Sequence, residues 1–348
     1  MSDDQLTLPR RTVLAVAATA LAAPALIRSA RAADNRIVLS TWGGDYQRLL
    51  KENVEDPILK PEGMEIVVDA NTEPPRVAKI LASRRLPRGP YDVACCNADS
   101  AYLLNEQGLL EQLDESKVPN LKYVREGLAT PFFAPHIWSP QVLIYADGMQ
   151  VPPTTFSDLL DPKHKGKVGF PDDNMRYVMM AASVFASGNT KDFDKAKPLM
   201  VQMNDNGLRT YPSTDSVAPA FKSGELEIGM MWFARTVMWR NAGFPIKAAF
   251  PKEGCVLYVS GMVVPKNAPN KEGAFKYLNA MLEPPGQIGF AKNMGYSPTV
   301  TNVTLPADIA DKLAMPEPAP KIYAPDFAYN AKILPELQEW WKKTITHA

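Results

Sequence analysis

The chain has 348 residues, and its 38 lysines and arginines balance its 38 aspartates and glutamates. Because nucleic-acid binding depends on a basic surface, this balance disfavours a nucleic-acid partner. The three cysteines and three histidines show neither metal-ligand spacing nor a nucleophile–base pair, so the sequence predicts no metal site, no cofactor and no enzymatic activity.

The N-terminus has the features of an export signal. Two arginines at 10–11 precede an apolar run over 13–27, and small residues at 30–32 suit a signal peptidase. A membrane anchor is the alternative, but a run of about 15 residues is shorter than the roughly 20 that a spanning helix needs. The sequence therefore predicts a twin-arginine-type signal peptide over 1–32 and export to the periplasm.

The remaining sequence alternates short apolar strands with amphipathic helices, which is typical of an α/β protein. In the first third the predicted elements are, in chain order, a strand at 36–40, a helix from Asp45 to 54, a strand at 64–69, a helix containing 77–83, a strand at 91–96 and a helix at 101–107. In the middle third they are a strand at 168–170, helices at 175–186 and 191–204, a strand at 208–211, a helix ending at 222 and a strand at 226–231. Ligands of α/β sheets bind at the carboxyl ends of the strands, where we expect the site.

Two long extended segments, 136–145 and 255–264, lie where one α/β half gives way to the other. If both cross between lobes, the first lobe is built from 34–140 plus 262–305, and the second from 141–261 plus 306–348. A hinge of two strands lets the lobes close over a ligand held between them. The predicted fold is therefore α/β and two-lobed, with a ligand cleft between the lobes.

The order of several short motifs resembles the periplasmic spermidine/putrescine-binding proteins of ABC importers, within the extracellular solute-binding proteins. The motifs are Ser40-Thr41-Trp42, Tyr91-Asp92-Val93, Gln107-Gly108-Leu109-Leu110, the segment 224–232 and Gly295-Tyr296-Ser297-Pro298. The resemblance covers essentially the whole chain after the signal. It implies a monomeric binding protein of the type II-like two-lobed fold, which passes a small-molecule ligand to a permease in the inner membrane.

The resemblance also implies an aromatic box around the ligand. Trp42, Trp232 and Tyr296 fall on aromatic positions of the family, whereas Tyr258 stands where the polyamine binders have tryptophan. An aromatic face can hold a ligand cation. Ordinary core packing is the alternative for each of the four side chains.

The charged positions depart further from the family pattern. Ser260 replaces an anchoring aspartate, and Arg176 aligns with an acidic residue early in its helix. The family's serine and tyrosine after the third strand are replaced, in this alignment, by Cys96 and Ala98. A guanidinium in the cleft would repel a diamine and suit a carboxylate. Arg176 could instead be solvated or pair with a structural acid.

Three further charged side chains are candidates for the site. Asp45 follows the first strand and Asp173 opens the helix after the fourth, and for both of them helix N-capping is the alternative. Arg235 follows Trp232 and is a second possible anion clamp.

These departures favour an amino-acid-like zwitterion or a carboxylate as the ligand. A polyamine is the alternative that the resemblance itself implies, and a metal ion, a sugar or a cofactor-like molecule is less favoured. An enzyme on the same scaffold is disfavoured because no catalytic set is visible. A receptor that signals rather than transports is not distinguished by the sequence.

Overall fold

The computed structural model describes residues 35–346. The predicted signal peptide, 1–32, lies outside the described residues and stays a prediction. Within the described residues, no helix combines the length and the apolar character needed to span a membrane.

Strands and helices alternate along most of the chain, as the sequence predicts. The strands are β1 Arg36–Thr41, β2 Glu65–Ala70, β3 Val93–Asn97, β4 Ala134–Ala146, β5 Val168–Pro171, β6 Arg209–Tyr211, β7 Ile228–Trp232, β8 Ile246–Ala249, β9 Cys255–Val263, β10 Ser297–Pro298 and β11 Ile322–Tyr323. The helices are α1 Gly44–Leu50, which continues as a π-helix to Leu59, α2 Glu73–Ala82, α3 Ala98–Glu106, α4 Met175–Ser187, α5 Phe193–Asp205, α6 Val217–Lys222, α7 Phe233–Asn241, α8 Lys271–Met281, α9 Pro284–Met294, α10 Ala307–Leu313 and α11 Phe327–Trp341. The predicted α/β class is confirmed.

The strands form one mixed sheet in the order β2-β1-β3-β9-β4-β7-β5-β6. Strand β1 pairs in parallel with β2 and β3, and β5 pairs in parallel with β6 and β7. Between these parallel groups lie β9 and β4, which are antiparallel to each other and to their neighbours β3 and β7. The two long segments predicted from the sequence correspond to β4 and β9.

Strand β4 changes partners midway along its length. Residues 134–140 pair with β9, whereas residues 141–146 pair with β7 and β8. We call β2, β1, β3, β9 and residues 134–140 the first half-sheet. Residues 141–146 with β7, β8, β5 and β6 form the second half-sheet.

The pairing register brings the carboxyl ends of β3 and β7 close together. Asn97 at the end of β3 pairs with Ser260, which pairs with Ile137 of β4. Trp232 at the end of β7 pairs with Gln141 of β4. Ile137 and Gln141 are four residues apart, so these two positions are separated by about 13 Å along β4. We call this place, with the first turns of α3, α4 and α7, the crossing region.

All three cysteines lie in the packed core. Cys95 and Cys96 are adjacent on β3, and each packs in a different apolar cluster because neighbouring strand residues face opposite sides. Both thiols and that of Cys255 are buried and unpaired in the described structure. Burial raises the pKa of all three thiols, which favours the unreactive protonated form.

His136 is a buried titratable group on the first half of β4. Its Nδ1 lies 2.9 Å from the hydroxyl oxygen of Tyr46, and its ring packs 4.4 Å from that of Phe290. Burial lowers the pKa of the imidazole to about 3. The folded protein therefore keeps His136 neutral over a pH range in which the unfolded chain protonates it.

This difference predicts acid destabilisation through His136. Below pH about 6.5 the unfolded state binds the proton and the folded state does not, so the free energy of unfolding falls as the pH drops from about 6.5 toward 3. The full effect is on the order of a few kcal/mol. In urea unfolding from pH 7 to pH 4.5, His136→Gln should lose less stability than the native protein. Equal losses in the two proteins would contradict the prediction.

Candidate functional site

Four aromatic side chains from both half-sheets pack together in the crossing region. Trp232 stacks on Tyr258 of β9 with ring centroids 4.4 Å apart. Tyr177 of α4 meets both rings edge-on at 6.0 and 5.7 Å, and Tyr296 lies 6.3 Å from Tyr258. The structure thus brings three of the four predicted aromatics together and adds Tyr177, which the sequence did not single out.

The fourth predicted aromatic, Trp42, pairs with a buried cation instead. The guanidinium of Arg76 lies 4.4 Å from the centre of the Trp42 ring. Arg76 is fully buried and donates hydrogen bonds to the Ser40 hydroxyl and to the carbonyls of Cys95 and Asn71. It therefore places a fixed positive charge beside the first half-sheet.

Arg176, in the first turn of α4, forms an ion pair with Asp99 in the first turn of α3. Its Nη2 lies 2.7 Å from Asp99 Oδ2, and the side chains are 18% and 7% exposed. Burial, the largest single influence, lowers the pKa of Arg176, but Asp99, Tyr177 and Glu73 together outweigh it and the pKa is raised. The pair joins helices that follow strands of different half-sheets. Of the two readings of Arg176, the structure shows pairing with an acid of the protein.

Asn330 of α11 supports the same carboxylate. Its side-chain amide donates a hydrogen bond of 3.3 Å to Asp99 Oδ1. Helix α11 contacts both halves of the protein: Phe327 lies beside Tyr102 of α3, and Trp341 donates a hydrogen bond to Asp172. Asp99 is therefore held by Arg176 from the second half and by Asn330 from a helix that packs on both.

A second acid, Glu73, lies at the start of α2. It accepts hydrogen bonds of 2.6 and 2.8 Å from the backbone and side-chain amides of Asn97. Burial raises the pKa of Glu73, although the bond from the Asn97 backbone opposes the rise. The other side-chain atom of Asn97, its Oδ1, accepts a hydrogen bond from the Tyr258 hydroxyl. Glu73 is thus linked to the aromatic cluster.

Asn97 and Asp99 are the residues after β3 that contact the groups of the crossing region. Cys96 and Ala98, which align with the family's serine and tyrosine, pack in the apolar core. Neighbouring residues of a strand face opposite sides, so Asn97 and Cys96 lie in different surroundings.

Ser260 and Asp45 lie apart from these polar contacts. Ser260 is fully buried and its hydroxyl donates to the Cys96 carbonyl at 3.1 Å, so the backbone satisfies it. Asp45 lies on the exposed side of α1 and pairs with Arg48 at 3.0 Å. The structure does not bring Asp45 together with the other candidates.

Asp173 and Arg235 lie on the second half of the protein. Asp173 is exposed and accepts a hydrogen bond of 3.4 Å from the Thr214 hydroxyl. Arg235, in the first turn of α7, is 18% exposed and lies 3.6 Å from the exposed carboxylate of Asp215. Both are secondary candidates beside the buried pair of Arg176 and Asp99.

Several buried polar atoms of the crossing region have no hydrogen-bond partner among the described residues. Two are donors, Arg176 Nε and Trp232 Nε1, and three are acceptors, Asn174 Oδ1, Asn330 Oδ1 and Asp99 Oδ2, the last of which contacts Arg176 as an ion pair without hydrogen-bond geometry. The side-chain amide of Gln141, which pairs with Trp232 along the strands, is also unpartnered at both atoms. Buried polar groups are normally satisfied, so these atoms mark where a polar ligand would bind.

The described residues hold no group of three or more histidine, cysteine or carboxylate side chains that could bind a metal ion. A cavity of about 670 Å³ lies elsewhere, between α7, β8 and the segment after α10. It contains none of the predicted site residues.

Comparisons with known proteins identify the family. The profile described as bacterial extracellular solute-binding protein matches residues 58–317. The spermidine/putrescine-binding periplasmic protein of Escherichia coli (strain K12) is 30% identical over 248 residues, which are 66% of this chain and 68% of that protein. The resemblance inferred from the motifs is confirmed.

Solved structures share the fold. The Atu4243-GABA receptor superposes with a TM-score of 0.78 at 21% identity, covering 88% of this chain and 96% of that one. The spermidine/putrescine ABC transporter substrate-binding protein PotD from Streptococcus pneumoniae superposes with a TM-score of 0.68 at 17% identity, covering 89% and 99%. The predicted two-lobed binding-protein fold is confirmed, and identities this low show the fold alone. The chain belongs to the bacterial extracellular solute-binding protein family, the solute-binding components of ABC transporters.

Proposed function

We propose that this protein captures an amino-acid-like zwitterion between its lobes and delivers it to an ABC permease. The mature chain acts in the periplasm after loss of 1–32, with lobes of 34–140 plus 262–305 and of 141–261 plus 306–348. The change of partners in β4 after Pro140 supports the first boundary. The protein acts as a monomer in this proposal; among the described residues the large exposed apolar side chains are Leu86, Leu103 and Val151.

The charge balance of the crossing region carries this proposal. The acids Glu73 and Asp99 lie near the guanidinium groups of Arg76 and Arg176, which attract both carboxylates or pair with them. Charge transferred from water into such a site must be compensated there. A polyamine would bring at least two positive charges to a balanced site, and a plain anion would bring an unpaired negative charge. A ligand with one charge of each sign keeps the balance.

The unpartnered atoms support the same ligand class. Arg176 Nε and Trp232 Nε1 are donors suited to a carboxylate, and Asn174 Oδ1 and Asn330 Oδ1 are acceptors suited to an ammonium group. A zwitterion satisfies both sets. A polyamine offers donors only, and would leave the indole and guanidinium N–H groups without partners.

A polyamine is the second candidate, and two observations favour it. The E. coli relative is named for spermidine and putrescine, and Glu73, which is partly buried, and Asp99, which is buried, supply carboxylates near an aromatic cluster. Against it, each of these acids already has partners, and Ser260 has replaced the expected aspartate.

A thermal-shift screen of the full mature protein separates the two candidates. We expect 4-aminobutanoate or another amino acid to raise the melting temperature, because a ligand at 100 times its Kd stabilises the protein by about 2.7 kcal/mol. Putrescine and spermidine at the same concentration should give a smaller shift. Stabilisation by the polyamines and by none of the amino acids would refute the zwitterion proposal.

Trp232 provides the second prediction. Trp232→Ala removes one ring of the stack and the unpartnered indole N–H, so the Kd of the ligand found in the screen should rise more than about tenfold. Isothermal titration calorimetry measures the change. Trp340→Ala is the matched control, because Trp340 lies on α11 against Lys197 and Trp341, outside the aromatic cluster. Equal losses in the two variants would assign Trp232 to core packing.

A further inference from the structure

The ion pair between Asp99 and Arg176 uses only part of the guanidinium. Asp99 Oδ2 contacts Nη2, while Nε, on the same edge of the group, has no hydrogen-bond partner within residues 35–346. A guanidinium binds a carboxylate best through two parallel N–H groups on one edge. Asp99 therefore contacts only Nη2, whereas a carboxylate bound to this edge of the guanidinium would contact both Nη2 and Nε.

Asp99 is also the point at which three helices meet. It begins α3, next to the first half-sheet, and is bonded to Arg176 on α4 and to Asn330 on α11. Arg176 belongs to the second half of the protein, whereas α11 contacts both halves, through Phe327 with Tyr102 of α3 and through Tyr329 with Phe193 of α5. The ion pair between Asp99 and Arg176 thus ties the two halves together without any ligand.

We propose that Asp99 is an internal counter-ion that holds the ligand-free crossing region closed on Arg176 and yields this place to a ligand carboxylate. The identity of the displacing group rests on the proposed function, whereas the closure of the ligand-free protein does not. A ligand enters by exchange. Its carboxylate takes the Nε and Nη2 edge of Arg176, and its ammonium group takes the released Asp99 carboxylate.

The exchange makes Asp99 a specificity-determining residue. A carboxylate without an ammonium group would leave Asp99 buried without its cation, and an unpaired buried charge is strongly unfavourable. A ligand that neutralises both Arg176 and Asp99 avoids this penalty. Asp99 thereby selects zwitterions over plain carboxylates of similar shape.

Small-angle X-ray scattering of the ligand-free protein tests the closure. Asp99→Asn should have a larger radius of gyration than the native protein, because the charged tie between the halves is lost. Arg176→Met should also increase the radius of gyration, and it serves as a second variant if Asp99→Asn folds poorly. Asp45→Asn is the control, since it breaks an exposed ion pair with Arg48 of 3.0 Å. If both Asp99→Asn and Arg176→Met keep the radius of gyration of the native protein, the proposed closure is overturned.

Acetate tests the exchange, because it is small enough to reach Arg176 whatever the shape of the natural ligand. Followed by tryptophan fluorescence at constant ionic strength, acetate should bind Asp99→Asn at least about tenfold more tightly than the native protein, since a charge-assisted site becomes free. Adding Arg176→Met to Asp99→Asn should abolish the gain. Acetate binding to Asp99→Asn that is no tighter than to the native protein would overturn the exchange.

If the thermal-shift screen shows no binding of amino acids but Asp99→Asn has a larger radius of gyration than the native protein, the proposed ligand class fails and the closure stands. If amino acids bind but the Asp99→Asn and Arg176→Met variants remain compact, the ligand class stands and the internal counter-ion is refuted.

Discussion

The shared strand β4 is the constraint on which the rest of the structure depends. Its first half completes one half-sheet and its second half completes the other, so the chain cannot place either half independently of the crossing. Strand β3 reaches β4 through β9, and β7 pairs with β4 directly, so both strands end beside the segment where β4 changes partners. The aromatic cluster and the buried ion pair are consequences of that convergence.

Within this frame the chemistry of the site is set by charges that balance in pairs. The family relation and the fold fix a two-lobed binding protein, and the same fold is found in relatives named for quite different solutes. In this chain a guanidinium, Arg176, lies opposite a carboxylate, Asp99, at the contact between the halves. If Arg176 and Asp99 bind the ligand as proposed, the groups that contact the ligand are the same groups that join the two halves of the ligand-free protein.

Much of this could be predicted from the sequence, and the remainder could not for identifiable reasons. The alternation of strands and helices and the length of the crossing strands are read from local apolar patterns. Trp232 and Tyr258 follow from ordered motifs. The partner of Arg176 does not, because Asp99 is distant in sequence and belongs to another element. The burial of Arg76 is only weakly indicated by the sequence, because Arg76 lies four residues before Ile80 and therefore on the same face of the helix.

Identification of the small molecule carried by the native protein tests the central claim most directly. Native mass spectrometry of protein isolated from the periplasm, followed by release and analysis of the bound solute, reports the ligand without any choice of candidates. The charge-balanced site described here predicts a solute with both a carboxylate and an amine group. A polyamine recovered at stoichiometric occupancy would contradict the account.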